Sequence, residues 1–143
     1  MLIGEFRCST DSDGRLMLPV PFRADLTGGA TVTRGIERCL WIYPVAEWEE
    51  LAEKLHQLPF TSQAARRFSR FMFSAAAVCT PDQAGQLLLP EQLRQYAGID
   101  DEAVVVGLLS HLEIWHPADW QERTSLFAEE GPALAEAVRQ FGI

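Results

Sequence analysis

Long apolar runs are missing from this sequence. The longest charge-free apolar stretch, Phe71 to Cys79, is bounded by Pro81 and Asp82 and falls well short of the roughly 20 residues that a membrane-spanning helix requires. The chain does not open on a basic segment followed by an apolar one. Glu5, Arg7, Asp11 and Asp13 stand where a signal peptide is apolar, so the sequence predicts a protein that stays in the cytoplasm, away from membranes. Cysteine is scarce: Cys8, Cys39 and Cys79 are an odd number at wide spacings, which fits neither a disulfide framework nor a CxxC metal site. They read as reduced core residues.

Histidine is scarce as well. His111 and His116 are five residues apart, so on one regular strand they point to opposite faces and cannot share a metal. His111 and Glu113 do share a face, which reads as solvated strand surface. No serine or cysteine sits in a recognisable nucleophile motif, and no glycine-rich phosphate loop follows a strand. No catalytic residue, metal or cofactor is therefore predicted, and the chain does not read as an enzyme. Basic residues are the last shortage, 12 against 20 acidic ones, for a net charge of -8. Affinity for nucleic acid rests mainly on a basic footprint, so the whole-chain balance argues against that partner.

What is present is a 143-residue chain that is 48% hydrophobic, enough to bury roughly two thirds of its unfolded surface as one unit. An internal repeat organises it. Cys8 to Arg23 lies on Cys79 to Arg94, with Asp11 on Asp82, Gly14 on Gly85, Leu16 on Leu87, Pro19 on Pro90 and Arg23 on Arg94. One residue further out of step, Gly35 lies on Gly107, Ile42 on Ile114 and Trp48 on Trp120.

Each copy reads as a hairpin, turning at Asp13-Gly14 in the first and at Ala84-Gly85 in the second, then a short helix, a second strand pair and a longer helix. In the first copy, Pro21 suits the first turn of the short helix, which ends before Gly28-Gly29. The longer helix after Pro44 places Val45, Trp48, Leu51, Ala52, Leu55 and Leu58 on one face, with Trp48 and Trp120 as core anchors. Copy two is expected to open with a strand over Phe73 to Thr80. The chain divides into a first module at 1–60, a connecting helix at 61–72 with a Thr61 or Ser62 cap, a second module at 73–128 and a C-terminal helix at 129–143, its pattern clearest from Pro132 to Phe141. Neither copy has strands enough to close a sheet, so the two are expected to complete one barrel-like core between them.

The turn Asp11-Ser12-Asp13-Gly14-Arg15 is the best candidate site. An aspartate and an arginine bracketing a tight hairpin can pair across it, leaving a guanidinium fork on an exposed edge where it meets phosphate or a guanine edge. An ordinary hairpin with a surface salt bridge is the competing reading.

An Asp-x-x-x-Arg-Leu hairpin duplicated half a chain apart, with "YPVAEW" after the first copy and "ARRFSRFMFSAAAVCTPDQAG" leading into the second, resembles the MraZ family along essentially the whole chain. The resemblance implies an α+β fold of two tandem AbrB-like modules forming one pseudo-two-fold swapped-hairpin β-barrel with flanking helices. It also implies a bacterial transcription regulator, nucleoid-associated, that assembles into a ring-shaped homo-oligomer. Such a ring would bind double-stranded DNA at direct promoter repeats and repress the division and cell-wall gene cluster. Carried onto this chain, it makes Arg15 the DNA-contacting residue, Asp11 its partner in the motif, and Ser12 and Gly14 the turn and backbone donors. Two departures stand out: Asp13 occupies a position often basic in the family, and the second motif ends in Gly85-Gln86, so the second arginine is missing.

Charge follows the same division. Residues 1–72 hold nine basic and nine acidic residues, whereas residues 73–143 hold three and eleven. The entire deficit lies in copy two, and the first hairpin with Arg7, Arg23 or Arg34 nearby forms a locally positive surface. The alternative is a protein-interaction module, antitoxin-like or enzyme-inhibiting, that works through the acidic second copy.

Overall fold

The repeat seen in the sequence recurs in the backbone of the computed structural model, which describes residues 1–143. Copy one runs β1 (Leu2–Ser9), β2 (Arg15–Met17), α1 (Val20–Leu26), β3 (Ala30–Arg34), β4 (Leu40–Pro44), α2 (Val45–His56) and α3 (Gln63–Phe73). Copy two follows in the same order: β5 (Ala77–Cys79), β6 (Gln86–Leu88), α4 (Glu91–Ala97), β7 (Glu102–Leu109), β8 (Leu112–Trp115), α5 (Pro117–Thr124) and α6 (Phe127–Ala137). Local chemistry sets the boundaries. Pro21 lies in the first turn of α1, where its missing N–H costs nothing. Ser62 caps α3, its Oγ accepting the Ala65 N–H at 3.2 Å. No helix is long and apolar enough to cross a membrane.

Strand pairing runs mostly between the copies. Within a copy only β3–β4 and β7–β8 pair. β1 crosses to β7 over its full length, Leu2 opposite Leu109 through Ser9 opposite Glu102, and β5 crosses to β3. β4 and β8 join at the centre, with Leu40 opposite Ile114 and Ile42 opposite Leu112. The result is one antiparallel sheet in the order β1-β7-β8-β4-β3-β5 and a separate two-stranded ribbon, β2-β6. The expected closed barrel is corrected here: the fold is α+β and pseudo-symmetric, but the sheet stays open, with β1 and β5 as its edges.

Equivalent residues of both copies form a single core. Leu16, Leu18, Phe22 and Leu26 meet Leu87, Leu89, Leu93 and Ala97 over the sheet residues Val32, Ile42, Val105 and Ile114. Cys8 and Cys39 are buried and Cys79 half-buried, all as free thiols. Burial pushes the thiols of Cys8 and Cys79 up to about 11 and that of Cys39 higher still, so none is a thiolate near neutrality.

Three local expectations change. Phe73 ends α3 instead of opening a strand, because buried Met72 anchors the last helical turn and Arg34 donates to the Phe71 carbonyl at 2.9 Å. The C-terminal helix starts at Phe127 and carries Pro132 inside it, with a 3-10 turn at Arg139–Phe141. Phe127 rests edge-on against Trp120, centroids 6.4 Å apart, which starts the helix ahead of the proline that usually marks a first turn. On α2 only Leu55 is buried. Trp48 and Trp120 are half-buried and join the sheet to the following helix, Trp48 between buried Tyr43 at 6.1 Å and Phe73 at 5.9 Å, Trp120 between buried Trp115 at 5.7 Å and Phe127 at 6.4 Å.

Candidate functional site

Asp11 builds the first turn through the main chain. Its N–H donates to the Arg15 carbonyl at 3.0 Å, its carbonyl accepts the Gly14 N–H at 3.0 Å, and its Oδ1 accepts the N–H groups of Asp13 and Arg15, each at 2.9 Å. The Arg15 N–H bond is the largest cause holding the Asp11 carboxyl below the usual carboxylate value, with desolvation opposing it. Asp82 repeats the arrangement, its Oδ1 accepting the N–H groups of Ala84 and Gln86 at 2.9 Å and its carbonyl that of Gly85 at 3.0 Å.

The Asp11–Arg15 side-chain pair anticipated from the sequence does not form. The carboxylate faces inward to main-chain donors, and the Arg15 guanidinium turns to Asp13, Nη1 to Oδ2 at 3.1 Å. Both side chains of that pair are well exposed, so it holds the guanidinium only weakly.

The two turns stand at opposite ends of the β2-β6 ribbon, where Arg15 opposes Leu88 and Met17 opposes Gln86. Each turn is bolted to the other copy. The Leu18 N–H donates to the Gly85 carbonyl at 3.0 Å and the Leu89 N–H to the Gly14 carbonyl at 2.9 Å. Beneath Gly14 lies Arg94, and beneath Gly85 lies Arg23; a side chain at either glycine would collide with the guanidinium. Gly14 and Gly85 also sit at φ +89° and +82°, a region that L side chains rarely adopt. Arg23 Nε donates to the Leu18 carbonyl and Arg94 Nε to the Leu89 carbonyl, both at 2.9 Å.

Arg23 and Arg94 are half-buried and neither has a carboxylate within salt-bridge range. They bring positive charge to both turns, including the one that lacks its own arginine. The sequence pairs these two residues through the repeat but gives Arg94 no role, because that role exists only once the copies interlock.

The remaining candidates divide. Ser12 is exposed at the tip of the first turn, and Gln86 holds the second through its main-chain N–H. Arg7 reaches across from β1 to Glu102 on β7, 3.4 Å between Nη1 and Oε1, an exposed pair that holds it as weakly as Asp13 holds Arg15. Arg34 is committed to α3, donating to Ser74 Oγ at 2.8 Å and lying over the Phe71 ring at 5.0 Å. The positive charge at the turns comes from Arg15, Arg23 and Arg94, beside the turn carboxylates Asp11, Asp13 and Asp82.

His111 and Glu113 do not lie on a solvated face, as their spacing suggested. His111 stacks on Tyr43 at 4.7 Å and meets Trp41 edge-on, and the burial lowers its pKa. Glu113 accepts the indole N–H groups of Trp41 at 2.9 Å and Trp115 at 3.0 Å. Aromatic residues brought in from the other copy bury this face. No three metal-ligating side chains come together.

Comparison with known proteins agrees with this duplicated architecture. The family described as "MraZ protein, putative antitoxin-like" matches residues 1–71 and again residues 72–140. A protein of Herpetosiphon aurantiacus is 45% identical over 143 residues, covering 100% of both chains. One of Thermomicrobium roseum is 44% identical over 136 residues, 95% of this chain and 96% of its own. One of Moorella thermoacetica is 42% identical over 143 residues, again 100% of both. Each of the three is named "Transcriptional regulator MraZ".

Proposed function

The chain belongs to the MraZ family, and on that premise we propose that it is a sequence-specific DNA-binding transcriptional regulator whose twin turns meet the operator. The observation that carries this reading is the interlocked ribbon, which presents Arg15, Arg23 and Arg94 on a rigid two-ended frame. Arg15 is the residue of direct contact. Its exposed bond to Asp13 costs little to exchange for a phosphate or a guanine edge. Ser12, exposed at the tip, comes close to the DNA backbone, and Gln86 contributes a neutral hydrogen bond, weaker than a charged one; Gly14 and Gly85, expected to offer backbone donors, are buried with their N–H and carbonyl groups bonded within the ribbon and shape the turns instead.

The exchange of β1 and β5 between copies supports a swapped-hairpin arrangement, with the ribbon as its DNA-facing end. One such frame per protomer binds weakly. A homo-oligomeric ring on direct promoter repeats makes the later contacts intramolecular and raises affinity by roughly 10²-fold or more. In this reading the target is the division and cell-wall gene cluster, which the protein represses as a cytoplasmic, nucleoid-associated regulator.

The test is a binding titration of the purified protein on its own upstream DNA and on shuffled DNA at several salt concentrations. Arg15→Ala abolishes preference for the operator while the particle size stays the same. Unchanged preference in that variant would sink the proposal.

A second reading rests on the acidic second copy, where eleven of the twenty acidic residues lie: a surface that holds a protein partner, antitoxin-like or enzyme-inhibiting. Equal affinity for operator and shuffled DNA, with one protein recovered stoichiometrically, would favour it.

A further inference from the structure

Each copy places a second helix after its longer one, α3 after α2 and α6 after α5, and the two second helices have opposite character. α3 carries Arg66, Arg67 and Arg70, none in a salt bridge. Between α2 and α3 opens a groove of about 490 Å³ with Leu55, Phe60 and Phe73 along its walls and Arg66 and Arg70 among its lining. Phe60 at its edge is 82% exposed.

α6 is the complement. It buries none of its residues. Phe127, Gly131, Leu134 and Val138 recur at helical spacing, and Leu134 remains half-exposed, with Phe141 72% and Ile143 88% exposed beyond it. Glu129 and Glu130 supply its unpaired charge, while Glu136 pairs with Arg139 at 3.4 Å. In its own chain α6 is fastened to copy two by Phe127 on Trp120, and no residue of α6 lines the groove of copy one.

We propose that the α2–α3 groove receives the C-terminal segment Phe127–Ile143 of a second copy, Leu134 and Phe141 entering among Leu55, Phe60 and Phe73 while Glu129 and Glu130 face Arg66 and Arg70. The proposal rests on the homo-oligomeric reading above and specifies its contact. Because the helix of one protomer meets a different surface on the next, the contact is heterologous, and repetition closes a ring or extends a filament. The exposed carboxylate–guanidinium contacts across this face are screened by salt, so the contact weakens as salt rises.

The test uses two full-length double variants in analytical ultracentrifugation: Phe60→Glu with Arg70→Glu, which breaks the groove, and Leu134→Glu with Phe141→Glu, which breaks the segment. All four residues are exposed, so each variant is expected to keep the wild-type circular dichroism. Each should sediment at the 16.0 kDa of one chain. Their mixture should give a species of twice that mass and nothing larger, since one intact groove meets one intact segment. Wild type that is monomeric at every concentration overturns the oligomeric reading and this contact with it. An assembled wild type with variants of unchanged size, or monomeric variants that fail to complement, overturns this contact alone and assigns the groove another occupant. A synthetic peptide of Phe127–Ile143 supplies a readout independent of variant folding: in excess it should break up the wild-type assembly, and an unchanged assembly overturns the proposal.

Discussion

The turn at Asp11–Arg15 and the turn at Asp82–Gln86 have the same main-chain hydrogen bonds, lengths agreeing to about a tenth of an ångström, yet only the first carries an arginine. The backbone of each turn is set by an aspartate, a glycine and the opposite copy's Arg94 or Arg23. None of these is the residue at the exposed end. Frame and charge are therefore separable, and copy two shows a turn in which the charge has gone and the frame has stayed.

The comparison breaks most sharply at Arg15. Arg15→Ala should cost about 1–3 kcal/mol of operator binding per engaged turn, roughly 5- to 150-fold, with denaturant stability unchanged. Gln86→Ala, measured in the same titration, should cost several-fold less. Equal losses would mean that the two turns contribute alike. The next effect tests the frame. Gly14→Ala and Gly85→Ala each force an L residue to a positive φ and a methyl group onto a guanidinium, so each should lose at least about 1–2 kcal/mol in urea unfolding, nearly the same for both.

Restoring symmetry should have a smaller effect. Gln86→Arg should tighten DNA binding and steepen the dependence of log affinity on log salt by about one. The smallest effect concerns pH. The Asp11 carboxyl lies below its ordinary value of 3.8 because the folded turn donates hydrogen bonds to the charged form. Its contribution is fully present above that ordinary value and is lost as pH falls through the lowered folded value. Acid titration should thus loosen the first turn, and Asp11→Asn should remove that component of the acid transition.

Most of the fold was legible because it occurs twice. The repeat placed the short helices and the β3–β4 and β7–β8 pairs, and the Asp11 and Asp82 turns gave the candidate site, but the strands flanking each turn, expected to form a hairpin, pair with the other copy instead. Two things were not legible. Spacing within one copy says nothing about a partner in the other, so the Arg94 guanidinium under Gly14 and the burial of His111 beneath Tyr43 could be learned only from the assembled chain. Competition between acceptors was equally hidden: Asp11 has two main-chain N–H groups at 2.9 Å, and Arg15 consequently turns to Asp13. At the C-terminus Pro132 misled, because a single aromatic contact to Trp120 outweighed the usual position of proline.

The cross-copy pairing of β1 also sets an order of events during synthesis. Leu2 meets Leu109, so the first strand to leave the ribosome waits for a partner about 100 residues behind it, on the order of 5–20 s at ordinary elongation rates. Until β7 emerges, β1 is an unpaired edge bearing the exposed Ile3, open to strands of other chains. The nascent first copy has neither β7 for its first strand nor β6 for its second. A message truncated after residue 72 yields half of a core. Folding of this chain depends on distant strand pairs, the kind that form slowly, and it completes only once the second copy has been made.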